Sequence, residues 1–159
     1  MGGNQMTNPN FAYFAGFFDG EGTVDIRARQ THNSKYLRFE LRVSIPQVID
    51  SPLIKAQSIW GGSLVKGKRI NTWSCASKLA VQFLSDIYPY LIVKKDEVEV
   101  ALAFANLIGS YERKAKEHGG FAKESEDRIN SKLYYFHELR YLRELKGFAR
   151  KNRNTLLAA

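Results

Sequence analysis

The chain has 159 residues, 44% of them apolar, enough for one hydrophobic core and too few for two well-filled ones. Its net charge of +8 and pI near 9.6 favour a polyanionic partner without choosing among DNA, RNA and acidic lipid. The lone Cys75 excludes an internal disulfide, no Cys/His spacing builds a zinc site, and no apolar run is long enough to cross a bilayer.

A single domain over residues 1–159 is therefore expected, in a reduced, intracellular setting and with no membrane partner. The stretch Met1–Asn10 is polar and uncharged, unlike a secretory signal. No repeat or low-complexity tract is visible.

Asn8-Pro9-Asn10 marks a helix start, and Phe11–Asp19 reads as a short apolar helix ending near Gly20 and Gly22. Ala12, Gly16 and Gly20 recur every four residues and leave one helix face without side-chain bulk. Glycines inside a helix cost about 1 kcal/mol each relative to Ala. A close contact should offset that, either with the chain's own sheet or with another backbone. Asp19 and Glu21 follow at the helix C-terminus, the unfavourable end of the dipole for a carboxylate. They are either capping acids or, with an exposed backbone carbonyl, hard-oxygen ligands suited to Mg²⁺.

From Thr23 the period becomes two. Val24, Ile26 and Ala28 alternate with Asp25, Arg27 and Arg29, and after the polar turn His32-Asn33-Ser34 the residues Leu37, Phe39, Leu41, Val43 and Ile45 alternate with Arg38, Glu40, Arg42 and Ser44. This predicts a long hairpin with one apolar and one charged face. Ser51–Ile59 reads as a helix closed by Trp60-Gly61-Gly62. A second hairpin follows, Ser63–Val65 and Ile70–Cys75 around Lys66-Gly67-Lys68-Arg69. Its phase is open, because Trp73 and Cys75 share one side while Ile70, Thr72 and Ser74 share the other. Ser77–Leu84 and Lys94–Ile108 read as helices on either side of Tyr88-Pro89-Tyr90. The region from about 125 to 151 spaces Leu133, Phe136, Leu139, Leu142, Leu145 and Phe148 helically among Lys and Arg.

The order predicts an α+β fold: a four-stranded antiparallel sheet with helices on one face and a C-terminal helical extension. Residues 23–80 carry ten bases against three acids and residues 110–159 twelve against seven, so the positive charge sits on the sheet and on that extension. Arg27, Arg29, Arg38 and Arg42 share the open face with Asp25, Glu40 and Ser44, a surface suited to phosphates and base edges.

The segment Phe14-Ala15-Gly16-Phe17-Phe18-Asp19-Gly20-Glu21-Gly22 resembles the nine-residue signature of the LAGLIDADG homing endonucleases, and the α-β-β-α-β-β-α order that follows is similar to theirs. The resemblance covers about residues 10–110, with residues 111–159 as a basic helical extension. Phe14 replaces the usual aliphatic start, and Asp50 and Ser51 stand where a basic residue is often found after Gln47.

One copy of the motif implies a homodimer, its interface formed by Ala12, Ala15, Gly16, Asp19 and Gly20. The resemblance further implies that Glu21 and the Gly20 carbonyl bind Mg²⁺ or another divalent cation such as Mn²⁺, with Gln47 and Lys94 completing the catalytic set. Lys66, Lys68, Arg69, Asn71 and Trp73 of the second hairpin would join the open face in contacting DNA. The implied activity is a metal-dependent, staggered double-strand break in a long pseudo-palindromic site, by an enzyme usually encoded within an intron or intein. An RNA maturase or DNA-binding regulator would keep the fold without cutting. In a basic nucleic-acid module unrelated to the family, Glu21 would be a turn residue and Lys94-Lys95 a solvated helix start. His32, His118 and His137 lack metal-ligand spacing and read as surface or packing residues.

Overall fold

The computed structural model describes residues 8–30, 37–117 and 125–157, with the side chains of Gln30, 111–117 and 148–157 excepted. The His32-Asn33-Ser34 turn and His118 lie outside the described residues. Helix α1 spans Pro9–Glu21, started by Asn8, whose Oδ1 accepts the Asn10 amide at 3.0 Å, and by Pro9, whose missing N–H is no loss in a first turn. It runs two residues beyond the predicted end, so Gly20 and Glu21 belong to its last turn. Strands β1 (Thr23–Gln30) and β2 (Leu37–Gln47) form the long hairpin. Helix α2 (Ser51–Trp60) leads through Gly61 and Gly62, both at positive φ, into β3 (Ser63–Val65) and β4 (Asn71–Ala76).

Helix α3 (Ser77–Ile87) outruns the predicted Leu84 because Phe83, Leu84 and Ile87 continue its buried face up to the Tyr88–Tyr90 3₁₀ turn. Helix α4 (Lys95–Glu117) likewise passes Gly109, where strong helix formers take over from apolar residues. Helix α5 covers Glu126–Leu157.

The strands form one antiparallel sheet in the order β1-β2-β4-β3. Alternation decides its faces: Val24, Ile26, Leu41, Val43 and Ile45 point into a core filled from the helix side by Phe14, Phe18, Phe83 and Phe104. Register places Thr23 opposite Ser44, Asp25 opposite Arg42, Arg27 opposite Glu40 and Arg29 opposite Arg38, all on the other face. Ala28, expected inward, is exposed, because β1 there runs beyond the core.

The open phase of the second hairpin is resolved. Trp73 is 0% exposed, ringed by Trp60 and Phe83, and its indole Nε1 donates to the Gly61 carbonyl at 2.8 Å. The expectation that Trp73 touches DNA is therefore corrected: it is a core residue.

Helix α5 packs on α4 and along the edge strand β1. Leu139 is buried, and Phe136 meets Phe39 edge-on at 6.2 Å. Leu145, placed on the same apolar stripe by spacing, is half exposed.

Burial pushes the Cys75 thiol up to about 12, against a smaller lowering by Arg42. A thiol protonated at pH 8 is a poor nucleophile. Native protein is expected to resist iodoacetamide at pH 8 and to be alkylated rapidly once denatured, read by intact mass. Fast labelling of the native chain would contradict the placement of Cys75.

Candidate functional site

The site forms where α1 ends and β1 begins. Phe14, Ala15 and Phe18 turn into the core, which leaves Ala12, Tyr13, Gly16 and Gly20 on the exposed side of α1. Ala15, expected at an interface, is thus corrected to a core residue: it lies three positions from Ala12, off the every-fourth stripe. The motif's glycines differ in what demands them. A Cβ on Gly22 would lie 2.0 Å from the Phe18 ring, so packing within the chain requires that glycine. A Cβ on Gly16 or Gly20 would meet nothing within 4 Å beyond its own helix backbone among the described residues.

The acids at the helix end separate into two roles. The Asp19 carboxylate accepts three backbone amides, Ile92 at 2.8 Å, Val93 at 3.2 Å and Lys94 at 2.9 Å, and so caps the approach to α4. Asp19 had been expected among the interface residues, but its carboxylate is engaged within its own chain. Glu21 is exposed, and among the described residues no hydrogen bond or salt bridge reaches its carboxylate.

Lys94 bridges α1 and α4. Its ammonium donates to the carbonyls of Phe18 at 2.9 Å and Asp19 at 2.7 Å, where a cation complements the negative end of the α1 dipole. Two of its three donor positions are thereby used. Burial lowers the Lys94 pKa below the ordinary lysine value, opposed by the charges of Glu97, Asp19 and Glu21 and assisted by Lys146.

Gln47 pairs with Asn71 at the end of β2, three residues beyond the Ser44–Thr23 pair, and so stands at the same end of the sheet as Glu21. Its Oε1 accepts the Val48 amide at 2.7 Å, and no hydrogen bond links it to Glu21 or Lys94. Asn71 donates to the Val48 carbonyl at 2.8 Å and fixes the segment after Gln47.

No group of three or more His, Cys, Asp or Glu among the described residues is placed to hold a metal ion by itself. The donors present still suit a hard cation that keeps several waters, because such an ion commonly takes one or two carboxylates plus substrate oxygens. Glu21 and the nearby last-turn carbonyl of Gly20 are such donors.

On the open face, Arg27, Arg29 and Arg38 are exposed, while Arg42 is half-buried and donates to Ser74 Oγ at 3.2 Å. Like charges directly opposite destabilise an antiparallel pair, so the Arg29–Arg38 pairing is a feature that a polyanion would relieve. Asp25 is held by Arg143 of α5 at 3.3 Å and by Arg27 at 3.9 Å. A groove of about 340 Å³ runs between β1 and α5, walled by Arg27, Arg29, Arg140 and Arg143. No sequence pattern distinguishes Arg140 and Arg143, because helical periodicity fixes their face but not the strand beside it. At the β3–β4 turn, Lys68 and Arg69 are exposed and Lys66 pairs with Asp50 at 2.7 Å. The hydrogen bond and charge of Lys66 lower the Asp50 pKa. A cation therefore does reach Asp50, delivered from another element.

No family model matches the chain, and no curated protein matches it in sequence. Solved structures match it in fold. The homing endonuclease I-CvuI, in complex with the I-CreI target in the presence of magnesium, superposes with a TM-score of 0.68 at 16% identity, over 83% of this chain and 80% of that one. The archaeal intron-encoded homing endonuclease I-Vdi141I, complexed with DNA, gives 0.67 at 16% over 83% and 82%. The LAGLIDADG homing endonuclease I-GzeII, in complex with its DNA target, gives 0.60 at 21% over 84% of this chain but 43% of its own. The α+β architecture is thus the LAGLIDADG fold. No helix among the described residues is long and apolar enough to cross a membrane.

Proposed function

We propose that this protein is a site-specific homing endonuclease that binds a long pseudo-palindromic DNA duplex as a homodimer and makes a metal-dependent, staggered double-strand break. The observation that carries the reading is the division of labour at the end of α1. Asp19 is consumed in building the chain, whereas Glu21 is exposed, has no hydrogen-bond or ion-pair partner among the described residues, and acts electrostatically on the half-buried Lys94 ammonium.

The open sheet face would take the duplex, with Arg27, Arg29, Arg38, Arg42, Lys66, Lys68 and Arg69 supplying cations and Asp25, Glu40 and Ser44 acceptors. Asn71 would act by holding the strand end. The Arg140 and Arg143 groove beside β1 would add phosphate contacts at the sheet's edge. A divalent cation such as Mg²⁺ or Mn²⁺, held by Glu21 and the Gly20 carbonyl, would supply activation of water and stabilisation of the leaving oxygen. Lys94 has a donor position left for a phosphate oxygen, where it would stabilise developing charge. Gln47 would orient water through its amide. Homodimerisation is supported by the bare Gly16 and Gly20 surface, where an added Cβ would meet open space among the described residues. An intron or intein origin accords with I-Vdi141I, which is itself intron-encoded.

The test is selection of cleaved sites from a randomised duplex library, with Mg²⁺ and with chelator. Metal-dependent cuts at a long, near-symmetric site are expected. Duplex binding without a cut in either Mg²⁺ or Mn²⁺ would overturn the endonuclease and leave the DNA-binding regulator, and RNA binding alone would leave the maturase.

Once a site is known, Arg29→Ala and Arg38→Ala separate two kinds of contact. A residue reading a base should relax preference locally by about 1–3 kcal/mol. One touching only phosphate should weaken binding to all sequences and flatten the salt dependence by about one counterion. Titrations at several salt concentrations would show it, and unchanged binding in both variants would remove the open face as the DNA surface.

A further inference from the structure

We infer that Lys146 is a positioning residue of the candidate site: its ammonium ties the last helix to the start of α4 and thereby holds Lys94 over the final carbonyls of α1. Its consequence for cleavage rests on the endonuclease reading, whereas the clamp itself rests on geometry alone.

Lys146 Nζ lies 2.8 Å from the Val93 carbonyl, 2.5 Å from Asp96 Oδ1 and 3.0 Å from Glu97 Oε1. An ammonium has three protons, and here three acceptors surround it, one just before Lys94 and two just after. Burial opposes its charge, but the Asp96 and Glu97 carboxylates outweigh that and raise its pKa. Glu97 is only 3% exposed, and a carboxylate taken that far from water needs a partner. Lys146 is its ion-pair partner.

The same short segment is also gripped from α1, where the Ile92, Val93 and Lys94 amides donate to Asp19. Lys94 is thus set between an anchor from α1 and an anchor from α5. Without Lys146, the stranded Glu97 carboxylate would compete with the Phe18 and Asp19 carbonyls for the Lys94 ammonium, on which its charge already acts. The C-terminal extension would therefore do more than stabilise the edge of the sheet, because it would set the geometry of a group at the cutting site.

Lys146→Met tests this with two independent readouts. Amide hydrogen exchange at Ile92–Lys94 is expected to lose protection by roughly tenfold while amides of β2 and β4 keep theirs. Single-turnover cleavage of the selected site should slow about tenfold. It should slow no further when Lys146→Met is added to Lys94→Met, and Lys146→Arg should restore much of the rate. Adding Glu97→Gln to Lys146→Met removes the competing charge, so part of the rate should return although the 92–94 amides remain exposed. If the stranded Glu97 unfolds the single variant, this double variant carries the exchange measurement. Unchanged protection at residues 92–94, or slowing that simply multiplies with that of Lys94→Met, overturns the inference. Wild-type protein that cuts no DNA overturns the endonuclease reading instead, and the exchange measurement then decides the clamp by itself.

Discussion

Purified Glu21→Gln protein is expected to bind its duplex with undiminished affinity and to leave it uncut in Mg²⁺. The substitution keeps the side chain's shape and removes its charge. Among the described residues no hydrogen bond or ion pair depends on that charge, although its field reaches the Lys94 ammonium: Glu21 is exposed in the last turn of α1. Its thermal stability should therefore match the wild type. Toward the phosphate backbone the carboxylate is repulsive, so affinity should hold or rise. Toward a divalent cation it would be, on the proposed reading, the chain's charged donor at this site, and losing it should lower both occupancy and rate. A fall of at least about a hundredfold is expected, the scale of removing one charge-stabilising group from an active site. Because a homodimer carries two such residues, mixed wild-type and variant dimers should make far fewer double-strand breaks. Binding by titration and cleavage of the same DNA, measured on one preparation, decide the matter. Full cleavage with ordinary metal dependence would return Glu21 to the status of a turn residue.

The contrast between Glu21 and Asp19 also marks where sequence reasoning reaches its limit. Two acids at the wrong end of a helix dipole announce that something must compensate them. Which one is structural depends on amides at positions 92–94, more than seventy residues onward, and no local pattern indicates them. Lys146 was hidden for the same reason: in sequence it is one more cation on a basic helix. The first hairpin was legible because alternation is strict, and a slip of one residue would expose its whole apolar set. The second hairpin offered Trp73 and Cys75 against Ile70, and the decision came from a non-local acceptor, the Gly61 carbonyl, that satisfies the Trp73 indole inside the core. Ala15 was grouped with the interface through the motif, although its phase along α1 put it with Phe14 and Phe18. The fold itself was legible at two levels, the order of periodicities and the nine-residue signature, and solved structures at 16–21% identity share that fold.

Gly16→Leu is expected to break the dimer while leaving each chain folded. A glycine inside a helix gives up about 1 kcal/mol relative to Ala, so its presence calls for a reason. For Gly22 the reason is internal, because the Phe18 ring fills the space a Cβ would need. For Gly16 and Gly20 the described residues supply none: both face outward, and beyond their own helix backbone nothing described lies within 4 Å of the Cβ position. A Cβ at position 16 therefore has open space among the described residues, and Leu there improves the helix propensity. Against a second α1 packed on that face, however, the added side chain overfills the contact by about 1–3 kcal/mol or more. Each 1.4 kcal/mol is tenfold in the dissociation constant, so the dimer should weaken by roughly ten- to a hundredfold. Cleavage should fall most steeply at low protein concentration and recover in part as concentration rises. Sedimentation velocity across a dilution series, with circular dichroism as the check on folding, measures both parts of the expectation. A wild-type chain that sediments as a monomer free and on DNA would sink the dimer, and a Gly16→Leu chain that dimerises like the wild type would move the interface away from α1.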